Sequence, residues 1–223
     1  MKHPVELLTK IALLAFTVFL LWRAFDTPLS DAINLSIMLG VMLLVFPVVW
    51  AGRKILDRYP TPGGISWTTT FVQFTVGNLL ALGIIRAVVT RQEWSDWVLP
   101  VPARVGMMLT IVSGAAFFLT VANLALKGFG APFFIVLSRR LAADWMYAWT
   151  RNPMVLAVLA FLVSLGILFQ SALFVLWALF LFAPALLCFV KVYEERELEL
   201  RFGTSYLAYK SRTPMLFPRR PRS

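Results

Sequence analysis

The chain has 223 residues, of which 60% are hydrophobic and only 14% charged, with a mean hydropathy of +0.79 and a net charge of +10. Soluble domains lie nearer about 45–50% apolar and about 25% charged, so the composition is that of an integral membrane protein, whose basic excess suits an anionic lipid surface rather than nucleic acid. A single cysteine, Cys188, excludes a disulfide framework and a cysteine zinc site, and a single histidine, His3, excludes histidine-cluster metal binding and a serine–histidine relay.

A crossing of the hydrocarbon core takes about 20 apolar residues. Residues 7–25, 33–51 and 103–126 each satisfy that length. Residues 65–89 form a weaker candidate, diluted by Thr68, Thr69, Thr70, Gln73, Thr75 and Asn78. The apolar run 153–192 is too long for one crossing, and its central polar break is Gln170-Ser171, after Gly166. A tight helical hairpin is expected there. The expectation is therefore an all-α membrane protein of about six transmembrane helices, ending in a helical hairpin and a cytoplasmic helical tail. No small-residue cleavage site follows the first span, so it is expected to remain as a helix rather than be removed as a signal peptide.

Orientation follows from lysine and arginine. With both termini cytoplasmic, only Arg23, Arg86, Arg91 and Arg104 lie outside, which leaves 17 of the 21 basic residues inside. The cytoplasmic side then carries two polar regions, 127–152 and 193–223, and both flank the final hairpin.

The first region contains Gly128-Phe129-Gly130 and ends on Arg151-Asn152-Pro153. Asparagine is a favoured N-cap and proline loses no needed hydrogen bond at the first helical position, so a helix is expected to begin here. Taken alone the triplet reads as a cap with Arg151 as a positive-inside anchor. A helix N-terminus reinforced by an arginine also holds an anion well. The glycines alone read as a helix stop.

The second region opens with Glu194-Glu195 within a turn of Val192, where solvating two carboxylates is costly. Glu197 and Arg201 have the spacing of a helical ion pair, as on a solvated helix face. Phe202-Gly203, Tyr206, Tyr209, Pro214 and Pro218 follow closely, as in a tail folded back against its own protein.

The ordered set Gly128-x-Gly130, Tyr147, Arg151-Asn152-Pro153-Met154, Glu194-Glu195-x-x-Leu198, Phe202-Gly203, Tyr206-x-x-Tyr209 and Arg212-Thr213-Pro214 resembles the membrane methyltransferase superfamily. Its members include isoprenylcysteine carboxyl methyltransferases and phospholipid N-methyltransferases. The similarity covers residues 103–218, and the first three spans match no motif of the family. It implies two parts, residues 1–100 as N-terminal helices of unassigned role and residues 101–223 as the methyltransferase core.

The resemblance further implies S-adenosylmethionine as methyl donor and a lipid or lipidated acceptor, isoprenoid-like or phospholipid, at the cytoplasmic face of a bacterial inner membrane. By position, Gly128, Gly130, Tyr147, Arg151, Asn152, Pro153, Glu194 and Glu195 are implied to bind the cofactor. Arg212 and Asn152 are implied to lie at the reacting centre, and no metal is implied. The donor's carboxylate suits Arg151 and the helix N-terminus, and its ribose hydroxyls or ammonium suit a glutamate. The tail is implied to act as a lid, with Arg212 orienting an acidic or phosphate-bearing head group and Lys210, Arg219, Arg220 and Arg222 touching anionic lipid.

The sequence departs from the family pattern at three places. Asn152 stands where many members carry histidine, an alternative associated with bacterial members. Val155 replaces a tyrosine, and Trp145-Met146-Tyr147 replaces Gly-Pro-Tyr. Asn152 cannot shuttle a proton, so an amine acceptor would rely on Glu194, Glu195 or Tyr147 as base. Two other classes fit the composition, a sterol-reductase-like oxidoreductase and a non-enzymatic membrane scaffold. The first would be longer, and no dinucleotide glycine pattern is present.

Overall fold

The computed structural model describes residues 4–90, 97–128, 141 and 143–220. Their architecture is all-helical, with no strand among the described residues. In chain order come α1 (Pro4–Asp26), α2 (Asp31–Arg58), α3 (Pro62–Val89) and α4 (Ala103–Gly128). The short α5 (Met146–Trp149), α6 (Pro153–Leu168) and the long α7 (Ala172–Arg212) follow. All but α5 and α6 are long and apolar enough to cross a membrane, and α6 is a shorter apolar helix, so about six spans fit.

The dilution of α3 has a structural cause. Thr69, Thr70 and Asn78 are buried within the protein, and Asn78 Nδ2 donates to Thr17 Oγ1 of α1 at 3.1 Å. Polar side chains that face neighbouring helices do not meet lipid, and they hold helices together by hydrogen bonding. At its start, Thr61 accepts from Gly64 N at 3.1 Å and Pro62 occupies the first turn.

The expected hairpin turns at Gln170-Ser171. Gln170 takes a positive φ of 54°, and Ser171 caps α7 by accepting from Phe174 N at 3.2 Å. Residues 97–101 brace the tip, with Leu99 N donating to Gln170 O and Ala172 N to Trp97 O, both at 2.9 Å.

Three features shape α7. Two π-helical stretches, Ala178–Phe182 and Phe189–Glu194, interrupt its α geometry. Each π turn takes in one extra residue and so rotates the following side chains by about 100° relative to an unbroken α-helix. Further on, Gly203 has φ 53° and ψ −129°, a kink that a side chain would strain, and it turns the last two helical turns back on the protein.

The helices line up by contact in the order α1, α3, α2, α7, α6, α4. One apolar core joins Met38, Val45 and Val49 of α2 and Val72 and Val76 of α3 to Phe174, Trp177, Phe182 and Tyr193 of α7. α4 pairs with α6 in antiparallel fashion, with Ser113 Oγ 3.0 Å from Ser164 Oγ and Gly106 against the Leu168 backbone. Residue numbers across this seam sum to about 275, so position 123 of α4 lies level with position 152.

Candidate functional site

Pro153 opens α6 as expected, but Asn152 does not cap it. Its Nδ2 instead donates to Met215 O at 2.9 Å. The chain after α7 lies along 149–152 like a strap. Thr150 Oγ1 also donates to Met215 O at 3.1 Å, Arg151 N donates to Pro214 O and Arg219 N to Trp149 O, both at 2.9 Å. Tyr209 adds a 2.6 Å bond from its hydroxyl to Tyr147 O. The folded-back tail read from the sequence is present. Tyr206 and Tyr209 are buried at its base, 2% and 3% exposed.

The strap brings opposite charges together. Arg151 Nη2 lies 2.9 Å from Glu195 Oε1, and Lys210 Nζ lies 2.7 Å from Glu195 Oε2 and 2.9 Å from Glu199. Lys210, expected on the lipid surface, is therefore a bridge between two carboxylates. Along a straight helix its position, about four turns after Glu195, would lie about 22 Å away, and the kink at Gly203 brings it back. Arg196 joins the same network through Glu199 and through Asp57 of α2.

Two groups in this network have capacity to spare. The Arg151 side chain is nine-tenths buried, yet its Nε and Nη1 have no hydrogen-bond partner among the described residues. Glu194, the residue next to Glu195, makes no side-chain hydrogen bond or ion pair among the described residues. Burial, reinforced by the Glu197 and Glu195 carboxylates, pushes its acid up to about 7. Glu195, in contrast, is ion-paired with two cations, Arg151 at Oε1 and Lys210 at Oε2, although Oε1 makes no well-directed hydrogen bond among the described residues. Glu197 is 2% exposed and pairs with Arg201 Nη1 at 2.5 Å, so the pair expected on a solvated face is a buried one. Burial raises the acid of Glu197 in spite of that partner.

The tyrosines close the site. Tyr147 is buried beside Glu194, and Tyr206 is buried close to Arg151, Glu194 and Glu195. Burial pushes the phenols of Tyr147, Tyr206 and Tyr209 well up, so they remain protonated and serve as donors rather than bases.

Of the other expected residues, Gly128 ends α4, and Gly130 lies outside the described residues. Arg212 is exposed at the end of α7. Trp145, in the position where the family pattern has glycine, adopts φ 54° and ψ −123°, a conformation that glycine favours.

One residue escaped the sequence reading. Asn123 of α4 is 3% exposed, and neither Nδ2 nor Oδ1 has a partner among the described residues. It continues the buried polar face of Ser113 and Thr120, turned toward α6, and the helix register sets it level with Asn152. A buried amide with nothing to bond costs about 1–3 kcal/mol. Its only sequence signal was an asparagine inside an apolar span.

An apolar groove of about 630 Å³ runs between α4 and α6. Leu109, Val112, Leu156, Ala160 and Val163 line it, and Trp149, Thr150 and Pro218 close the end next to Arg151. Along α6 its lining extends from Pro153 to Ile167, about 21 Å at 1.5 Å per residue.

A bundle of apolar helices with a buried charged site at one end and an apolar groove leading to it is the architecture of a membrane protein that handles a polar and an apolar ligand together. Residues 102–205 match the family model of phospholipid methyltransferases, consistent with the membrane methyltransferase superfamily. The match takes in just under half of the chain, including Asn123, Arg151, Glu194 and Glu195, and leaves out α1 to α3. No curated protein and no solved structure gives a match.

Proposed function

We propose that the protein transfers a methyl group from S-adenosylmethionine to a lipid or lipidated acceptor at the cytoplasmic face of the membrane, with residues 101–223 as the catalytic core. The observation that carries this reading is a nine-tenths buried guanidinium with two unpartnered nitrogens, ion-paired to Glu195, whose neighbour Glu194 makes no ion pair among the described residues. Such a pair complements a zwitterionic amino-acid group: Arg151 takes the carboxylate and Glu194 faces the ammonium and sulfonium. Glu195 and Lys210 hold Arg151 in place rather than meeting the ligand, and Tyr147 and Tyr206 close the site against water.

Bound there, S-adenosylmethionine supplies an electrophilic methyl group. The chain's own contribution is alignment and exclusion of water, which suits an in-line displacement that needs no metal. The groove between α4 and α6 accommodates the acceptor's hydrocarbon part, and Trp149, Thr150 and Pro218 stand where that part meets the polar site. Because the strap supplies Pro218 and binds 149–152, its release opens the polar end of the groove, as a lid does. For an amine acceptor, Glu194 is the site group whose pKa is near neutrality, which suits a proton acceptor.

The test is full-length protein in nanodiscs of mixed phospholipids, supplied with S-adenosylmethionine labelled in its methyl group. Label in the extracted lipid is the expected result. Absence of both labelled lipid and donor binding overturns the proposal. Thermal stabilisation by NADPH alone would point to the oxidoreductase reading instead.

A further inference from the structure

The first three helices lie outside the family match, yet they grip the turn that carries the site glutamates. Arg53 of α2 donates from Nη1 to Val192 O at 2.9 Å. The guanidinium is itself steadied by Asp57, whose Oδ2 is 2.7 Å from Arg53 Nε and whose Oδ1 is 2.8 Å from Arg196 Nε. One residue along, Tyr193 is fully buried, and its hydroxyl lies 3.1 Å from Thr69 Oγ1 of α3. Gly52 makes room for that ring, since a Cβ there would lie 3.1 Å from it and 2.5 Å from Val72 Cγ2.

Val192, Tyr193 and Glu194 belong to the π-helical stretch Phe189–Glu194, and Glu195 follows directly. A π turn depends on its surroundings, because an α-helix has the better-packed geometry. Were the stretch to relax to α geometry, the side chains after it would rotate by about 100°. Glu194 would then leave Tyr147 and Tyr206.

We propose that α2 and α3 act as a clamp on this π turn, with Arg53 and Tyr193 as positioning residues that aim Glu194 at the donor site and keep Glu195 against Arg151. The inference rests on the functional reading above for its ligand, but the clamp itself is a property of the fold. It gives α2 and α3 a part in the reaction: they fix the direction of the two carboxylates from outside the catalytic core.

The test uses full-length protein in nanodiscs and the variants Arg53→Met, Arg53→Lys and Tyr193→Phe. Amide hydrogen exchange is followed by mass spectrometry over residues 189–196, with residues 153–168 as internal reference. Arg53→Met is expected to speed exchange in the first segment and not in the second. It is also expected to raise KM for S-adenosylmethionine about tenfold while KM for the lipid acceptor stays within twofold. Arg53→Lys, which keeps a donor for Val192 O, recovers part of both effects, and Tyr193→Phe, which takes the partner from the buried Thr69 hydroxyl, acts in the same direction. A merely structural role would lower the active fraction and leave both KM values alone. Unchanged exchange in both Arg53→Met and Tyr193→Phe overturns the clamp, even if one of them folds poorly. A wild-type protein that neither binds nor uses the donor overturns the functional reading, while the exchange experiment still decides the clamp.

Discussion

At the scale of single residues, Glu194 is the most informative group. Its acid lies near 7 in the folded protein, above the ordinary 4.5, so folding favours the protonated form. The stability this contributes is present below about pH 4.5 and is lost as pH rises through about 7. A cationic ligand reverses the preference. Binding at pH 6 must expel a proton from Glu194, and binding at pH 8 need not. S-adenosylmethionine is therefore expected to bind about tenfold more tightly at pH 8 than at pH 6 on account of this group. The ligand's own amine titrates identically whichever protein it meets, so Glu194→Gln isolates the effect and should lose that part of the slope. Calorimetry in two buffers of different ionisation enthalpy measures the proton directly, and equal release by both proteins would remove Glu194 from the site. Asn123 offers a second residue-scale test. Replacing a buried, unpartnered amide by an apolar side chain of similar size removes a desolvation penalty of about 1–3 kcal/mol. Asn123→Leu is expected to raise the thermal midpoint of the ligand-free protein and to weaken donor binding. A variant that is less stable and binds normally would make Asn123 an ordinary packing residue.

At the scale of elements, the kink at Gly203 governs how the tail reaches the site. Because φ is 53° and ψ is −129° there, Gly203→Ala carries a backbone strain of roughly 1–3 kcal/mol although no atom lies within 4 Å of the new Cβ. A straightened helix would lift Tyr206, Tyr209 and Lys210 away from Arg151 and Tyr147. The expected outcome is faster proteolysis after Arg212 and weaker donor binding, with the transmembrane helices intact by circular dichroism. Resistance to proteolysis equal to that of the wild type would show that the strap is held by its own bonds to 149–152. The elements also mark where sequence was sufficient. The hairpin at Gln170-Ser171 was legible because a polar break in an apolar run has few other meanings, and the start of α6 because Pro153 suits only the first turn. The π turns of α7 were not legible, since they arise from contacts with α2 and α3 and leave no local signature. Nor was the burial of Glu197: an i, i+4 pair with Arg201 reads the same whether it faces water or protein. Lys210 was misplaced because its partner Glu195 becomes a neighbour only through the bend at Gly203. Asn123 needed the register of α4 against α6, which no single helix encodes.

At the scale of the whole molecule, two opposite ends can be recognised. One gathers Arg53 and Asp57 of α2, Arg151 before α6 and the charged part of α7, tied by bonds from Arg53 to Val192 and from Arg196 to Asp57. The other holds the loop between α1 and α2, where buried Arg86 binds Asn34, Ala24 O and Thr27 O, and the hairpin tip braced by residues 97–101. Between them the apolar part of α7 from residue 172 to 192 spans about 32 Å, the thickness of a hydrocarbon core. Arg151 before α6 and the charged part of α7 therefore share one face, and the distribution of lysine and arginine is the reason to expect that face in the cytoplasm. Reporter fusions after Pro28 and Gln170 are expected to read outside, and fusions after Tyr59 and at the C-terminus inside. The C-terminal fusion is the decisive one. S-adenosylmethionine is a charged, water-soluble molecule made inside the cell, and Arg151 and Glu194 can meet it only from the side on which the strap lies. A C-terminal reporter outside, together with Tyr59 outside, would invert the whole bundle, turn the donor site away from its supply and leave the methyl-transfer reading without a substrate.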